Sequence, residues 1–226
     1  LILVLIPVAG LLIIIHKWTS EGRESLYGIA RMLAQLLVVG YFLTYLFKSD
    51  DVWAILAVLA VMVFSASWIA LRTTKASRSS FYAKALCSIA FGGGINLLIV
   101  TQGVLYIDPW YSPRFLIPLA GMIFAGSMNS ISIAAERIQS EMKRDVSYTE
   151  ARGIALKASL IPIVNSLFAV GLVSLPGMMT GQILSGVSPL IAARYQIMVM
   201  CMLFASAGIS SACFIALIRS NLEKNV

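Results

Sequence analysis

Residues 136–162 read ERIQSEMKRDVSYTEARGIALKASLIP, a polar island in a chain that is 59% hydrophobic. Nine charged residues fall between Glu136 and Lys157, from a chain total of 17 basic and 10 acidic, and apolar runs press on the island from both sides. An aqueous loop between two membrane segments fits that pattern. Ser147 stands three residues before Glu150, the spacing of a capping box in which each side chain serves an orphan amide at a helix start. The spacing predicts a short cytoplasmic helix that begins near Ser147 and presents Thr149, Glu150 and Arg152 to water. Such an element either docks a soluble partner or does no more than fix topology by its charge.

Composition places the island in a membrane protein. Charged residues make up 12% of 226, about half the share of a soluble domain, and the mean hydropathy is +0.90. A net charge of +7 raises nucleic acid as a partner, but the placement of the basic residues points to the anionic inner face of a membrane instead. Cys87, Cys201 and Cys213 are odd in number and each lies inside an apolar run, which gives neither a disulfide framework nor a zinc site. The chain opens at Leu1 within an apolar run without an initiator Met, so the N-terminus is expected to be incomplete. Residues 1–15 read as the remainder of a span or as a signal-peptide core.

A helix needs about 20 predominantly apolar residues to cross a bilayer. The expected fold is an all-α integral membrane protein, a single transmembrane domain over residues 1–226 with about seven spans. These are 1–15, 26–47, 52–71, 84–102, 115–135, 160–183 and 193–218. Loops on one side carry Lys17, Arg23, Arg72, Lys75, Arg78, Lys84, Arg137, Lys143, Arg144, Arg152 and Lys157, and the tail adds Arg219 and Lys224. The other side offers Lys48 and Arg114. By the positive-inside rule the N-terminus lies outside and the C-terminus in the cytoplasm, at the plasma membrane or bacterial inner membrane. Trp53, Trp110 and Tyr111 stand at span ends, where amphipathic rings settle, and Asp108-Pro109 makes an outside turn.

The sixth segment is expected to break at Pro176-Gly177, because proline removes a helix donor and clashes with the preceding turn. Broken backbone at membrane depth needs protein or a water-filled cavity to cover it. Pro176, Gly177, Met178, Met179 and Gln182 therefore mark either a translocation path or a packing kink. Ser188 and Pro189 read as the N-cap and first residue of the last helix. Glycines 92–94 and the series Gly121, Ala125, Gly126 and Ser130 indicate close helix packing. Intramembrane polar groups are expensive, which adds Arg31, Gln35, Asn129 and Asn165 as path candidates. Asn96, Arg194 and Gln196 are polar as well. Met198, Cys201 and Met202 share one helix face and could hold a soft metal, or could be gap-filling side chains.

What is missing also restricts function. There is no G-x-x-x-x-G-K-[ST] phosphate loop, no HExxH and no GxSxG, and the single histidine, His16, sits at a helix end. The chain is not expected to be an enzyme. No Asp or Glu falls mid-span, which disfavours an ion-coupled secondary transporter; a scaffold without transport activity remains a third reading.

Three stretches carry a family likeness: ARMLAQLLVVGYFLTYLF (30–47), PLAGMIFAGSMNSISIAAER (118–137), and GLVSLPGMMTGQILSG followed by SPLIAARYQIMV (171–199). They resemble the FetB (YbbM) family, permeases of an iron-exporting ABC transporter with plant relatives linked to aluminium tolerance. The resemblance implies a multi-pass permease that dimerises and pairs with a separate FetA-like ATPase. It binds no cofactor itself, ATP-Mg being held by the partner, and the helix near Ser147 becomes the coupling helix. The implied cargo is iron or another metal ion, with a nucleotide sugar as the alternative. The segment between Glu150 and Pro162 is about one helical turn shorter than the family pattern, and its lead-in reads Asp145-Val146-Ser147-Tyr148.

Overall fold

The computed structural model describes residues 2–19, 22–47, 51–74 and 78–222. Lys48, Lys75 and Lys224 of the charge pattern lie outside the described residues. The chain divides into two compact units, Leu1–Asp50 and Asp51–Val226. In the first, α1 (Leu5–Trp18) is followed by α2 (Gly22–Leu46). The second holds α3 (Val52–Ala70), α4 (Arg78–Leu98) running into a π-helical turn at Ile99–Val104, α5 (Pro113–Met142), α6 (Tyr148–Ala169), α7 (Gly177–Leu184) and α8 (Pro189–Leu222). Among the described residues there is no β-strand, only an isolated bridge between Val170 and Ser174.

Among the described residues, six helical stretches are long and apolar enough to cross a membrane: Gly22–Leu46, Val52–Ala70, Arg78–Val104, Pro113–Met142, Tyr148–Ala169 and Pro189–Leu222. The seventh expected span, residues 1–15, is not among them. The first segment is a helix of 14 residues, about 21 Å at the α-helical rise, against a hydrocarbon core of about 30 Å.

The sixth segment also differs from expectation. Instead of a short surface helix followed by a separate span, α6 runs unbroken from Tyr148 through Pro162 to Ala169. Ser147 caps it as the spacing predicts, its hydroxyl accepting from the Glu150 amide at 3.4 Å. Pro162 is tolerated inside because the loss of one amide donor is local, and the Ser166 hydroxyl donates to the Pro162 carbonyl at 2.9 Å. The helix stops ahead of Pro176. Val170 is extended and Gly171 follows with φ +85°, a left-handed conformation that glycine adopts without a Cβ clash. Pro176 instead caps α7, its carbonyl accepting the Thr180 amide at 3.0 Å and the Thr180 hydroxyl at 3.2 Å. α8 begins at Pro189, as the Ser188-Pro189 pair predicts.

The second unit is centred on α4, α5 and α8, which cross closely. A Cβ added to Gly92 would lie 2.5 Å from Ser210 Oγ and 2.9 Å from the Ser210 nitrogen on α8. One on Gly93 would meet Ile123 and Phe124 of α5 at 3.0 Å. Buried serines then bond across the crossings. Ser210 donates to Ser127 Oγ at 3.0 Å, Ser211 to Ser130 Oγ at 2.7 Å, and Ser127 to the Ser206 carbonyl at 3.3 Å. Ser130 in turn donates to the Ser159 carbonyl at 3.1 Å, which ties α6 to the same lattice.

The basic ends of these helices gather at one end of the unit. Arg78, at the start of α4, donates to the Trp68 carbonyl at 2.7 Å and lays its guanidinium 3.6 Å from the Trp68 ring centroid. Asn221 near the end of α8 bonds Lys84 and Ser80 of α4. Tyr148 at the start of α6 donates to the Ile215 carbonyl of α8 at 2.9 Å, with Arg219 over its ring. Trp110 and Tyr111, packed edge to face at 5.7 Å, lie in the loop joining the other ends of α4 and α5.

Three outcomes follow for stability. Gly92→Val should destabilise the detergent-solubilised protein by about 1–3 kcal/mol, the range for overpacking. Gly94→Ala, which meets nothing within 4 Å, should be neutral or slightly stabilising in the same thermal melts. In a double-mutant cycle, Ser130→Ala and Ser211→Ala should show a coupling of about 0.6 kcal/mol, typical of interhelical hydrogen bonds in membranes.

Candidate functional site

Three helix faces converge on one groove. On α5 the positions are Met122, Gly126, Asn129, Ser130 and Ile133; on α6, Ser159, Pro162, Ile163 and Ser166; on α8, Gln196, Val199, Met200, Leu203 and Ala207. Each set keeps the three- and four-residue spacing of a single helix face. The groove consists of two cavities that share Ile163, Ser166 and Leu203. The first, of about 160 Å³, lies toward the start of α6 and exposes Asn129, Ser130, Ser159 and Ser166. The second, of about 350 Å³, reaches the segment between α6 and α7 and is lined by Val170, Ser174, Pro176, Gly177 and Met178. A third cavity, of about 340 Å³, lies across Gln196 and Met200 and adds Met179 and Cys201.

The polar groups of the groove are not equally satisfied. Ser159 donates to the Leu156 carbonyl at 2.8 Å, and Ser130 is held by the serine lattice. Gln196 is only 6% exposed, and its Oε1 has no hydrogen-bond partner. Gln182 Oε1 on α7 is likewise buried without a partner. An amide oxygen in that condition forgoes about 1–3 kcal/mol of solvation unless something binds it.

The sequence-derived candidates distribute unevenly. Pro176, Gly177 and Met178 line the second cavity, Met179 and Cys201 the third, and Asn129 the first. Asn165 is exposed and lines none of these cavities. Arg31 and Gln35 are exposed on α2 of the first unit. With the Gln35 amide oriented oxygen-first, Arg31 donates to it at 3.1 and 3.3 Å. Met198, Cys201 and Met202 do not meet in one cavity: Met202 is buried, Cys201 exposed and Met198 half-buried. Among the described residues no three His, Cys, Asp or Glu come together as a metal site. Ser147, Thr149, Glu150 and Arg152 are all exposed at the start of α6, while Ala151, Ala155 and Ser159 face inward. Sequence reasoning missed Met122, Met200, Ser159 and Ser166. Their spacing within each helix was visible, but nothing in one chain states which faces meet.

Comparison with known proteins agrees with this architecture. The sequence pattern of the Uncharacterised protein family (UPF0014) matches residues 1–152 and 146–222, two stretches that meet at the start of α6. The chain is 36% identical to the UPF0014 membrane protein slr1647 of Synechocystis sp., over 89% of this chain and 85% of that protein. It is 35% identical to the Probable iron export permease protein FetB of Escherichia coli, over 95% of this chain and 88% of that protein. Against Protein ALUMINUM SENSITIVE 3 of Arabidopsis thaliana the identity is 32%, over 92% and 80%. No solved structure matches. A match over nearly the whole length, on a helical bundle with six membrane-length stretches among its described residues, makes the chain a multi-pass membrane protein of the UPF0014 family.

Proposed function

We propose that this chain is the permease subunit of an ABC transporter. It works as a homodimer, exports a metal ion, and is driven by a separate ATPase that docks on the start of α6. The cargo class follows the relative named as an iron export permease. One observation carries the coupling: the exposed turn bearing Thr149, Glu150 and Arg152 and the groove wall formed by Ser159, Ile163 and Ser166 belong to one unbroken helix. A push on its aqueous end therefore displaces a wall of the groove. ATP-Mg binds the partner ATPase.

Orientation follows from charge. The end that gathers Arg78, Lys84, Arg219 and the start of α6 faces the cytoplasm, where the positive-inside rule puts basic residues. The end bearing Trp110 and Tyr111 faces outward. Lys157 is the last charge on α6, and the apolar remainder from Ala158 to Ala169 is ~18 Å long, short of the ~30 Å hydrocarbon core. The segment between Ala169 and Gly177 thus lies within the membrane, where irregular backbone needs protein or a cavity beside it, and the second and third cavities border Val170, Gly171, Ser174 and Leu175. The groove residues named above include no Asp, Glu, His, Lys or Arg. A gradient-driven carrier relies on an ionisable residue in its path, so ATP is the better-supported energy source.

Replacing Glu150 and Arg152 together by alanine should weaken capture of the ATPase by about 2 kcal/mol, roughly 30-fold, if they are central to the contact. Both side chains are exposed, so the thermal melt should not change. Undiminished co-purification of the ATPase would reject docking at this turn.

A further inference from the structure

The second cavity has an unusual chemistry for a membrane path. Methionines from three different helices line it: Met122 of α5, Met178 of α7 and Met200 of α8. Beside them stands Gln196, 94% of its surface removed from solvent and its Oε1 without a partner. Ser166 and Ser174 add hydroxyl oxygens, and Pro176 contributes no amide hydrogen. The lining is rich in lone pairs and has neither cationic nor anionic side chains.

That donor set discriminates among cargoes. A phosphate-bearing solute would meet no Arg or Lys. Ferrous and other borderline divalent ions prefer imidazole and carboxylate, and none is present here. A divalent charge would also enter a low-dielectric site without a counter-charge, which carries a large desolvation penalty. Thioethers are soft, neutral, polarisable ligands that suit soft d¹⁰ ions. A monovalent ion also needs the least compensating charge. Methionine is long and unbranched and adapts its shape to what it contacts, so side chains from three helices can close around an ion in a cavity of about 350 Å³.

We propose that the cavity lined by Met122, Met178, Met200 and Gln196 is a binding site for a soft monovalent metal ion of the Cu⁺ or Ag⁺ type. The inference rests on the permease reading and narrows its cargo. It separates this site from the Met198, Cys201 and Met202 face, whose members point to different surroundings.

The test uses the full permease in nanodiscs without its ATPase, with Cys87, Cys201 and Cys213 replaced by serine so that no free thiol competes for the ion. Ag⁺ is titrated calorimetrically, and Cu⁺ is titrated under reductant against a colorimetric chelator. The site predicts one tight equivalent per chain, lowered at least roughly 10-fold in the Met122→Leu, Met178→Leu and Met200→Leu triple variant, the scale on which supporting groups tune metal affinity. Met198→Leu should leave binding unchanged. Because the triple variant could misfold, methyl NMR of labelled methionines in the cysteine-free protein with all three cavity methionines intact gives a second readout. Ag⁺ should shift the resonances of Met122, Met178 and Met200 and leave Met198 in place. The proposal is overturned if Fe²⁺ binds more tightly than Ag⁺, if Ag⁺ leaves those three resonances unmoved, or if a correctly folded triple variant binds as before. No ATPase is present, so a negative result removes the soft-ion assignment and leaves the coupling at Glu150 and Arg152 standing. Loss of docking with ion binding intact would do the reverse.

Discussion

In hydrocarbon, helices gain little by hiding apolar faces from one another, because lipid tails are as apolar as leucine. What fixes this bundle is close backbone approach secured by hydroxyls. Gly92 lets α4 lie against Ser210, and the Ser127–Ser210 and Ser130–Ser211 bonds tie α5 to α8. This frame holds α6 by hydrogen bonds over its first half, through Tyr148 to the Ile215 carbonyl and Ser130 to the Ser159 carbonyl. From Ser159 to Ser166 one face of α6 borders the groove. A helix hydrogen-bonded to the frame over its first half and bordering a cavity over its second is suited to pass a displacement inward.

Length and charge then limit where α6 can lie. An Arg or Lys at the bilayer centre is penalised by roughly 2.5–3.5 kcal/mol on insertion scales, so Arg152 and Lys157 hold the first turns at the surface. Taken whole, α6 is of membrane length, but its charge-free part after Lys157 is shorter than the hydrocarbon core. By contrast α8, with 34 residues, spans ~51 Å and has length to spare at both ends. In the proposed placement, full-length frame helices stand beside one helix whose charge-free part ends partway, with the short α7 beyond it. The second and third cavities are lined by residues of both α6 and α7.

Much of this was legible in the sequence because it depends on properties local to one segment. Hydropathy marked the long spans, Ser147 and Glu150 marked the start of α6, and Ser188-Pro189 marked the start of α8. The stop of α6 was misplaced because Pro176-Gly177 is the louder local signal, whereas the helix ends where Gly171 adopts a left-handed conformation. Helix periodicity identifies which residues share a face but not which faces meet. Met198, Cys201 and Met202 therefore looked like a set, while Met122, Met178 and Met200, far apart in sequence, come together on one cavity. The serines of α8 read as small residues; their bonds to α5 are a property of the assembled bundle.

Everything in the mechanism requires the start of α6 to face the compartment that holds ATP. The direct measurement is sidedness. Cys87, Cys201 and Cys213 are replaced by serine, and single cysteines are introduced by Arg152→Cys or Trp110→Cys. Each is then treated with a membrane-impermeant maleimide in intact cells and in inside-out vesicles. The account predicts labelling of Arg152→Cys only in the vesicles and of Trp110→Cys only in cells. Labelling of Arg152→Cys from outside intact cells would contradict it.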